Sequence, residues 1–308
     1  ELPMNFPLQL TAQIDSANGN FNRSFTLNRG LTVLLGPNGS GKTHLLRGLK
    51  NSLSQHTNGK RVRFLSAGRM GMLEQFRSDY DGQRGGTPNY DNATYGGKKD
   101  ASRRHQMETL TGDFQTLAER ADILVKIQER LKKLFKRDLL IEWDAGSLKI
   151  AFSRLDIDAK PYSSGREASG LMHLVGILAA LYDDEVGALL LDEPEVSLHP
   201  QLQAFLLKEI LSVAGHPAVG ENKKIVIIAT HSTEMLQIQT PEDLLSLVFC
   251  YDLMGDPVQI PADAGELKNK KVQSLVARLG QEHKLSLFSK RPLLVEGPSD
   301  VIICSALA

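Results

Sequence analysis

Residues 36 to 43 read Gly36-Pro37-Asn38-Gly39-Ser40-Gly41-Lys42-Thr43. A glycine, four intervening residues and then Gly-Lys-Thr make a complete phosphate-binding loop. The chemistry requires these residue types in this order. Small residues let backbone N–H groups turn around an oxyanion, and a helix that follows adds the positive end of its dipole. The spacing assigns Asn38, Gly39, Ser40, Gly41, Lys42, Thr43 and His44 to the phosphate chain of ATP or GTP. Lys42 would reach the terminal phosphates and Thr43 would hold Mg²⁺.

Three further constellations carry chemistry. Ala188-Leu189-Leu190-Leu191-Asp192-Glu193-Pro194 is an apolar run that ends in two carboxylates. Beside a phosphate loop, Asp192 belongs at the Mg²⁺. Glu193 belongs at the attacking water, which it can orient or deprotonate. Ile225 to Ser232 is a second apolar run and ends in Thr230-His231-Ser232. Ligands of open α/β sheets bind at the carboxyl edge, so His231 can contact the terminal phosphate and polarise that water. Tyr162-Ser163-Ser164-Gly165-Arg166-Glu167 is expected to open a helix. There, Ser163, Ser164 and Gly165 make either a second anion site or an ordinary N-cap.

Positioning these groups requires strands that alternate with helices. Leu31–Leu35 predicts a buried strand into the loop, and residues 43–53 a helix out of it. Residues 8–35 read as short strands with turns at 18–20 and 28–30, and residues 62–66 as another strand. Residues 78–105 are polar and glycine-rich, which predicts a mobile loop. Residues 113–137 predict one helix with Leu117, Ile123 or Leu124, Ile127, Leu131 and Leu134 on its apolar side. Strands at 139–143 and 147–152, a helix at 166–182, a strand at 187–191, a helix at 200–213 and a strand at 224–229 follow. Residues 262–271 read as a linker, 271–279 as a helix and 292–296 as a strand. The alternation gives an α/β fold class. The expected divisions are 1–75, 76–140, 141–260, 261–290 and 291–308.

In this order the motifs resemble an ABC-type ATPase of the SMC-like and OLD (overcoming lysogenization defect) branch. Glu193-Pro194-Glu195-Val196-Ser197-Leu198-His199-Pro200 is the form typical of that branch, and the likeness covers about residues 8 to 250. The resemblance implies an ATPase head with a mixed β-sheet flanked by helices and a helical insertion. Ser163, Ser164 and Gly165 would be the signature and would act on the nucleotide of a second subunit. Residues 197–200 would be the D-loop, and His231 the switch histidine. Two ATP molecules would be sandwiched in a head-to-tail homodimer. The family's Leu-Ser-Gly-Gly-Gln is Tyr-Ser-Ser-Gly-Arg in this chain, so the contact details of the signature differ. Gln75 and Gln83 both follow the strand that should precede a Q-loop glutamine. Leu293-Leu294-Val295-Glu296-Gly297-Pro298 resembles the first strand of a Toprim domain. That likeness gives Glu296 a role in metal binding or proton transfer, with the remaining acids beyond Ala308. Cleavage of a phosphodiester by two metals needs several carboxylates, so this stretch alone is not expected to cut DNA.

Composition narrows the setting. The 308 residues have zero formal net charge and are 41% hydrophobic, enough for a large core. There is no run of eighteen apolar residues, so no membrane span is implied. No secretory signal is visible at the start. Cys250 and Cys304 make neither a disulfide framework nor a zinc cluster, and a cytoplasmic protein is expected. Charge is uneven, with a local net of +5 over residues 98–137. Lys126, Arg130, Lys133 and Arg137 fall at helical spacing opposite the apolar face. That stripe is either a DNA or RNA backbone contact or a solvated helix face. The resemblance implies an ATP-driven homodimer or higher oligomer that gates a fused nuclease or a separate toxin or other effector, in defence against phage. DNA repair or chromosome maintenance, and a sensor that holds a separate effector, are the alternatives.

Overall fold

The computed structural model describes residues 6–15, 17, 19–78 and 89–292. Strand β1 (Leu8–Ile14) pairs antiparallel with β2 (Phe21–Leu27), and burial alternates along both, as one-sided packing requires. β3 (Leu31–Leu35) leads to α1 (Lys42–Ser54), then β4 (Arg61–Leu65) and α2 (Gly71–Arg77). α3 (Leu110–Glu119) and α4 (Ala121–Phe135) precede a three-stranded antiparallel sheet, β5 (Arg137–Asp144), β6 (Ser147–Arg154) and β7 (Tyr162–Ser163). Then come α5 (Ser169–Tyr182), β8 (Val186–Asp192), α6 (Pro200–Val213), β9 (Ile225–Ala229), β10 (Leu247–Phe249), β11 (Val258–Gln259), α7 (Lys270–Val276) and α8 (Gln281–Ser286).

The central sheet has six strands in the order β11-β10-β3-β9-β8-β4, parallel except for β11. β3, β8 and β9 are buried at every position, because both faces are covered. Their alternating residues enter two cores. Leu34, Leu190 and Ile227 pack with α1 and the β1–β2 hairpin. Val33, Leu191 and Ile228 pack with α3, α5 and α6 on the other face. α5 is buried from Leu171 to Tyr182 and is apolar all round, as a helix enclosed by neighbours must be. Strands from residues 1–75 and from 141–260 interleave in this one sheet. Among the described residues no helix is long and apolar enough to cross a membrane.

Several sequence expectations are corrected. The stretch expected as a mobile loop is built from residue 89 onward, with residues 79–88 outside the described part. It holds 3-10 turns at Tyr90–Asn92 and Lys98–Gln106 and a bridge from Gly97 to Ser147. Tyr95 is buried with its ring 4.5 Å from that of Phe114. Arg63 ties this excursion to β4. It meets Asp113 at 2.8 Å and the carbonyls of Arg104 and Met107. Isolated anchors of this kind leave no hydrophobic period in the sequence.

The expected helix at 113–137 is two helices that turn at Arg120, whose guanidinium reaches Asp122 and Asp184. Lys136 is left-handed and Arg137 begins β5, so the four basic residues do not form one stripe. Lys126 lies 3.9 Å from the centre of the Tyr182 ring, and Arg130 pairs with Glu209 at 3.3 Å. Arg137 pairs with Glu167 at 3.5 Å, and Lys133 is exposed. Three of the four therefore face the molecule's own acids and aromatic rings. α5 begins at Ser169 rather than 166, after a 3-10 turn at Ser164–Arg166. The expected linker 262–271 holds a 3-10 turn at Gly265–Lys268 and the first residues of α7, and α8 was not anticipated.

His173 sits in α5 and is nearly inaccessible. Burial, with Arg69 and Arg77 nearby, holds its imidazole down at about 3. An unfolded histidine takes up a proton near pH 6.5, whereas the folded one stays neutral until far lower pH. Stability from this site is full above about pH 6.5 and is lost as pH falls toward about 3. Urea unfolding should show about 1 kcal/mol of such loss between about pH 7 and about pH 5.5, and His173→Gln should flatten that part of the slope. A slope unchanged by the substitution would contradict the assignment.

Candidate nucleotide-binding site

β3 delivers the chain to Gly36, where a Cβ would fall 1.9 Å from the Cys250 carbonyl oxygen. Only glycine fits there. Gly41 is the N-cap of α1 with φ 86°, and the helix has neither a side-chain cap nor an acid in its first turn. The first N–H groups of a helix lack intrahelical partners, so this end is an open set of donors with a positive dipole behind it. The Ser40 hydroxyl is buried and has no hydrogen-bond partner. An uncapped helix end and an orphaned hydroxyl in one glycine turn fit a phosphate chain.

Lys42 donates through Nζ to the carbonyls of Gly36 and Pro37, at 2.9 and 3.0 Å. Burial lowers its pKa, while nearby Glu193, Asp192 and Glu195 favour its charge. The loop opens on a cleft of about 350 Å³ lined by residues 38–44, Asp192, Glu193, His231 and Leu253. One cleft therefore gathers the phosphate loop, both carboxylates and the histidine.

The Thr43 hydroxyl donates to Asp192 Oδ2 at 2.9 Å. Burial raises the pKa of Asp192. Two hard oxygen ligands side by side at a phosphate loop suit Mg²⁺. Glu193 follows on a left-handed residue, φ 46°, and its N–H donates to the Ala229 carbonyl at 2.8 Å. Its carboxylate is partly exposed and lies 4.0 Å from His231 Nε2. Burial and the Lys42 charge lower the pKa of His231, which keeps the ring neutral at physiological pH. The backbone N–H of His231 donates to Glu195 at 2.7 Å, which fixes the turn after β9.

Sequence motifs did not reveal what holds this arrangement. Arg69 is buried after β4 and donates to the carbonyls of Ser66, Asp192 and Glu193, at 2.7, 3.0 and 3.0 Å. Burial pulls its guanidinium down to about 10, so it remains charged at neutral pH. Arg77, at the end of α2, holds the signature turn through the carbonyls of Gly165 and Glu167 and the Ser169 hydroxyl. Both are single arginines in unremarkable surroundings, and no spacing signals them.

The residues expected as a signature lie elsewhere. Ser163, Ser164 and Gly165 are not among those lining the cleft. Their expected anion site is not open in this structure. The Gly165 N–H is taken by Ser163 Oγ at 3.3 Å, and Ser163 in turn donates to the Tyr90 carbonyl. Ser164 is fully buried against the Tyr95 hydroxyl at 3.0 Å. The segment 197–200, expected as a D-loop, is anchored to both neighbours. A Cβ on Gly170 of α5 would meet the Ser197 carbonyl at 2.4 Å, and Gln203 links Leu198 to Ser232. Gln75 is exposed on α2 and does not line the cleft, while Gln83 and Glu296 lie outside the described residues.

Residues 101–236 match a protein-family profile described as "AAA domain, putative AbiEii toxin, Type IV TA system". Endonuclease GajA of Bacillus cereus (strain VD045) is 28% identical over 127 residues, which are 40% of this chain and 19% of that protein. The likeness thus spans about a fifth of the relative's length. Among solved structures, an SMC head bound to the C-terminal winged-helix domain of ScpA is 12% identical. It covers 85% of this chain and 99% of its own, with a TM-score of 0.49. An ATP-binding cassette of an ABC transporter is 15% identical over 90% of this chain and all of its own, with a TM-score of 0.47.

Arg69→Lys keeps the charge but cannot reach three carbonyls in a fork. Urea unfolding should show a loss of about 1–3 kcal/mol, the cost of buried acceptors left without donors. Unchanged stability would mean that Arg69 does not hold the Asp192–Glu193 turn.

Proposed function

We propose that this chain is an ATP-hydrolysing switch of the ABC type, which binds ATP with Mg²⁺, pairs with a second copy and gates a nucleic-acid-directed effector. The observation that carries this reading is the single cleft, in which Thr43 meets Asp192 while Glu193 and His231 stand together. Mg²⁺, when bound, neutralises charge that develops on the phosphates. The chain's own residues do the rest. Thr43 and Asp192 hold the metal. Lys42 exchanges its own loop carbonyls for phosphate oxygens. Glu193 orients a water and accepts its proton. His231, held neutral, lends a ring nitrogen to the water or the terminal phosphate.

Several observations bear on the wider reading. Ser163, Ser164 and Gly165 stand apart from the chain's own cleft, and to serve a second copy they would have to give up their bonds to Tyr90 and Tyr95. The D-loop segment packs on the start of α5 and is tied through Gln203 to the His231 turn, a route from one nucleotide to the next. Phe288, which follows α8, stacks on the His231 ring at 6.3 Å, so nucleotide state can reach the elements beyond the ATPase sheet. The likeness to an endonuclease supports a nucleic-acid-directed effector.

Glu193→Gln should keep ATP affinity within a few-fold, lower turnover about a hundredfold or more, and accumulate a dimer with ATP and Mg²⁺. Phosphate release, calorimetric titration and light scattering read the three effects. Near wild-type turnover would remove Glu193 from the chemistry, and a variant that stays monomeric with ATP would sink the paired switch.

A further inference from the structure

Arg23 lies on the inward face of β2 with no accessible surface. Among the described residues none of its three guanidinium nitrogens makes a hydrogen bond of normal geometry and it forms no ion pair, the neutral Cys250 thiol being the polar group that approaches it. A buried charge in this state is costly, because burial strips its hydration and nothing replaces it. The group beside it is the Cys250 thiol, which burial pushes up to about 11, so it faces Arg23 uncharged.

The position is specific. Arg23 Nη1 is 3.4 Å from where a Cβ on Gly41 would stand, at the uncapped start of α1. Leu253 Cδ1 is 2.5 Å from the same point, and Leu253 also lines the cleft. Leu253 belongs to the loop between β10 and β11. The base of that hairpin is pinned to β2, because Gln259 bonds both the N–H and the carbonyl of Thr26 at 2.7 Å. Near its tip, Leu253 is partly buried and Met254 is exposed. Asp256 in the same loop accepts from the Ser24 N–H at 3.4 Å, so the loop is tied to β2 on both sides and it is the Leu253 side chain that must turn away from Gly41.

We propose that Arg23 is a phosphate-binding residue of the nucleotide cleft, uncovered when Leu253 leaves Gly41. The proposal rests on the nucleotide reading above. The guanidinium waits without a counter-ion beneath the glycine that starts α1, and the phosphate chain supplies that counter-ion. Binding relieves the unpaired charge, which adds affinity for phosphate and none for the nucleoside. No bond is made or broken.

Arg23→Met tests this, because methionine fills much of the space without charge. Without ligand, the variant should melt at or above the wild-type temperature, since an unpaired buried charge is gone. ATP and ADP should bind tenfold more weakly or worse, and the rise in melting temperature on adding ATP should shrink. A variant that is less stable without ligand, or that fails to fold, overturns the proposal, because Arg23 would then be a structural element. A stable variant with wild-type ATP and ADP affinity also overturns it while leaving the nucleotide site intact. If the wild-type protein and Lys42→Ala both fail to bind ATP, the nucleotide reading falls and takes this inference with it.

Discussion

The parallel pairing of β3, β9 and β8 is the constraint on which the rest depends. It brings three strand ends to one edge and so places Thr43 within 2.9 Å of Asp192, 149 residues away in sequence. Each strand is buried on both faces, so its register is fixed by two cores at once. A slip of one residue would send Leu34 and Leu190 into the wrong core and part the hydroxyl from the carboxylate. The cleft inherits its precision from that double burial rather than from its own few bonds.

A second organising device is a set of arginines from one short segment. Arg63, Arg69 and Arg77 all lie in the segment from β4 to the end of α2, and each binds backbone carbonyls of a different stretch of chain. Arg63 holds the excursion before α3. Arg69 holds the Asp192–Glu193 turn, and Arg77 holds the signature turn. A guanidinium offers several donors in a fixed plane, which suits it to binding several carbonyls at one turn. One segment thereby fixes the Asp192–Glu193 turn and the Ser163–Gly165 turn relative to the same sheet edge. The left-handed backbone at Glu193 persists because Arg69 and the Ala229 carbonyl over-determine that turn.

The electrostatic plan of the cleft is asymmetric. Positive groups and open N–H donors come from the loop and α1, while carboxylates come from β8 and the turn after it. The cationic side suits a phosphate chain, and the acidic side suits a metal and a water. Burial shapes both sides by lowering the pKa of Lys42 and His231 and raising that of Asp192. The basic residues of α4, by contrast, are largely spent within the molecule on Tyr182, Glu209 and nearby acids.

The sequence by itself determined the α/β class, the strands that carry the motifs, and the phosphate loop with Asp192, Glu193 and His231. These were legible because each is local: a loop spacing, a buried run, acids or a histidine at a strand's end. Tertiary structure decided what depends on distant partners. It broke 113–137 into two helices at Arg120, because acids beyond α5 draw that guanidinium away from the helix axis. It turned Ser164 inward onto Tyr95, from a stretch with no hydrophobic period. It also placed Arg69 against the Asp192–Glu193 turn and Arg23 beside Gly41, although nothing in their neighbours' spacing marks either residue. Local sequence fixes backbone preference and period, whereas the partner of a single long side chain is fixed only when the sheet has closed.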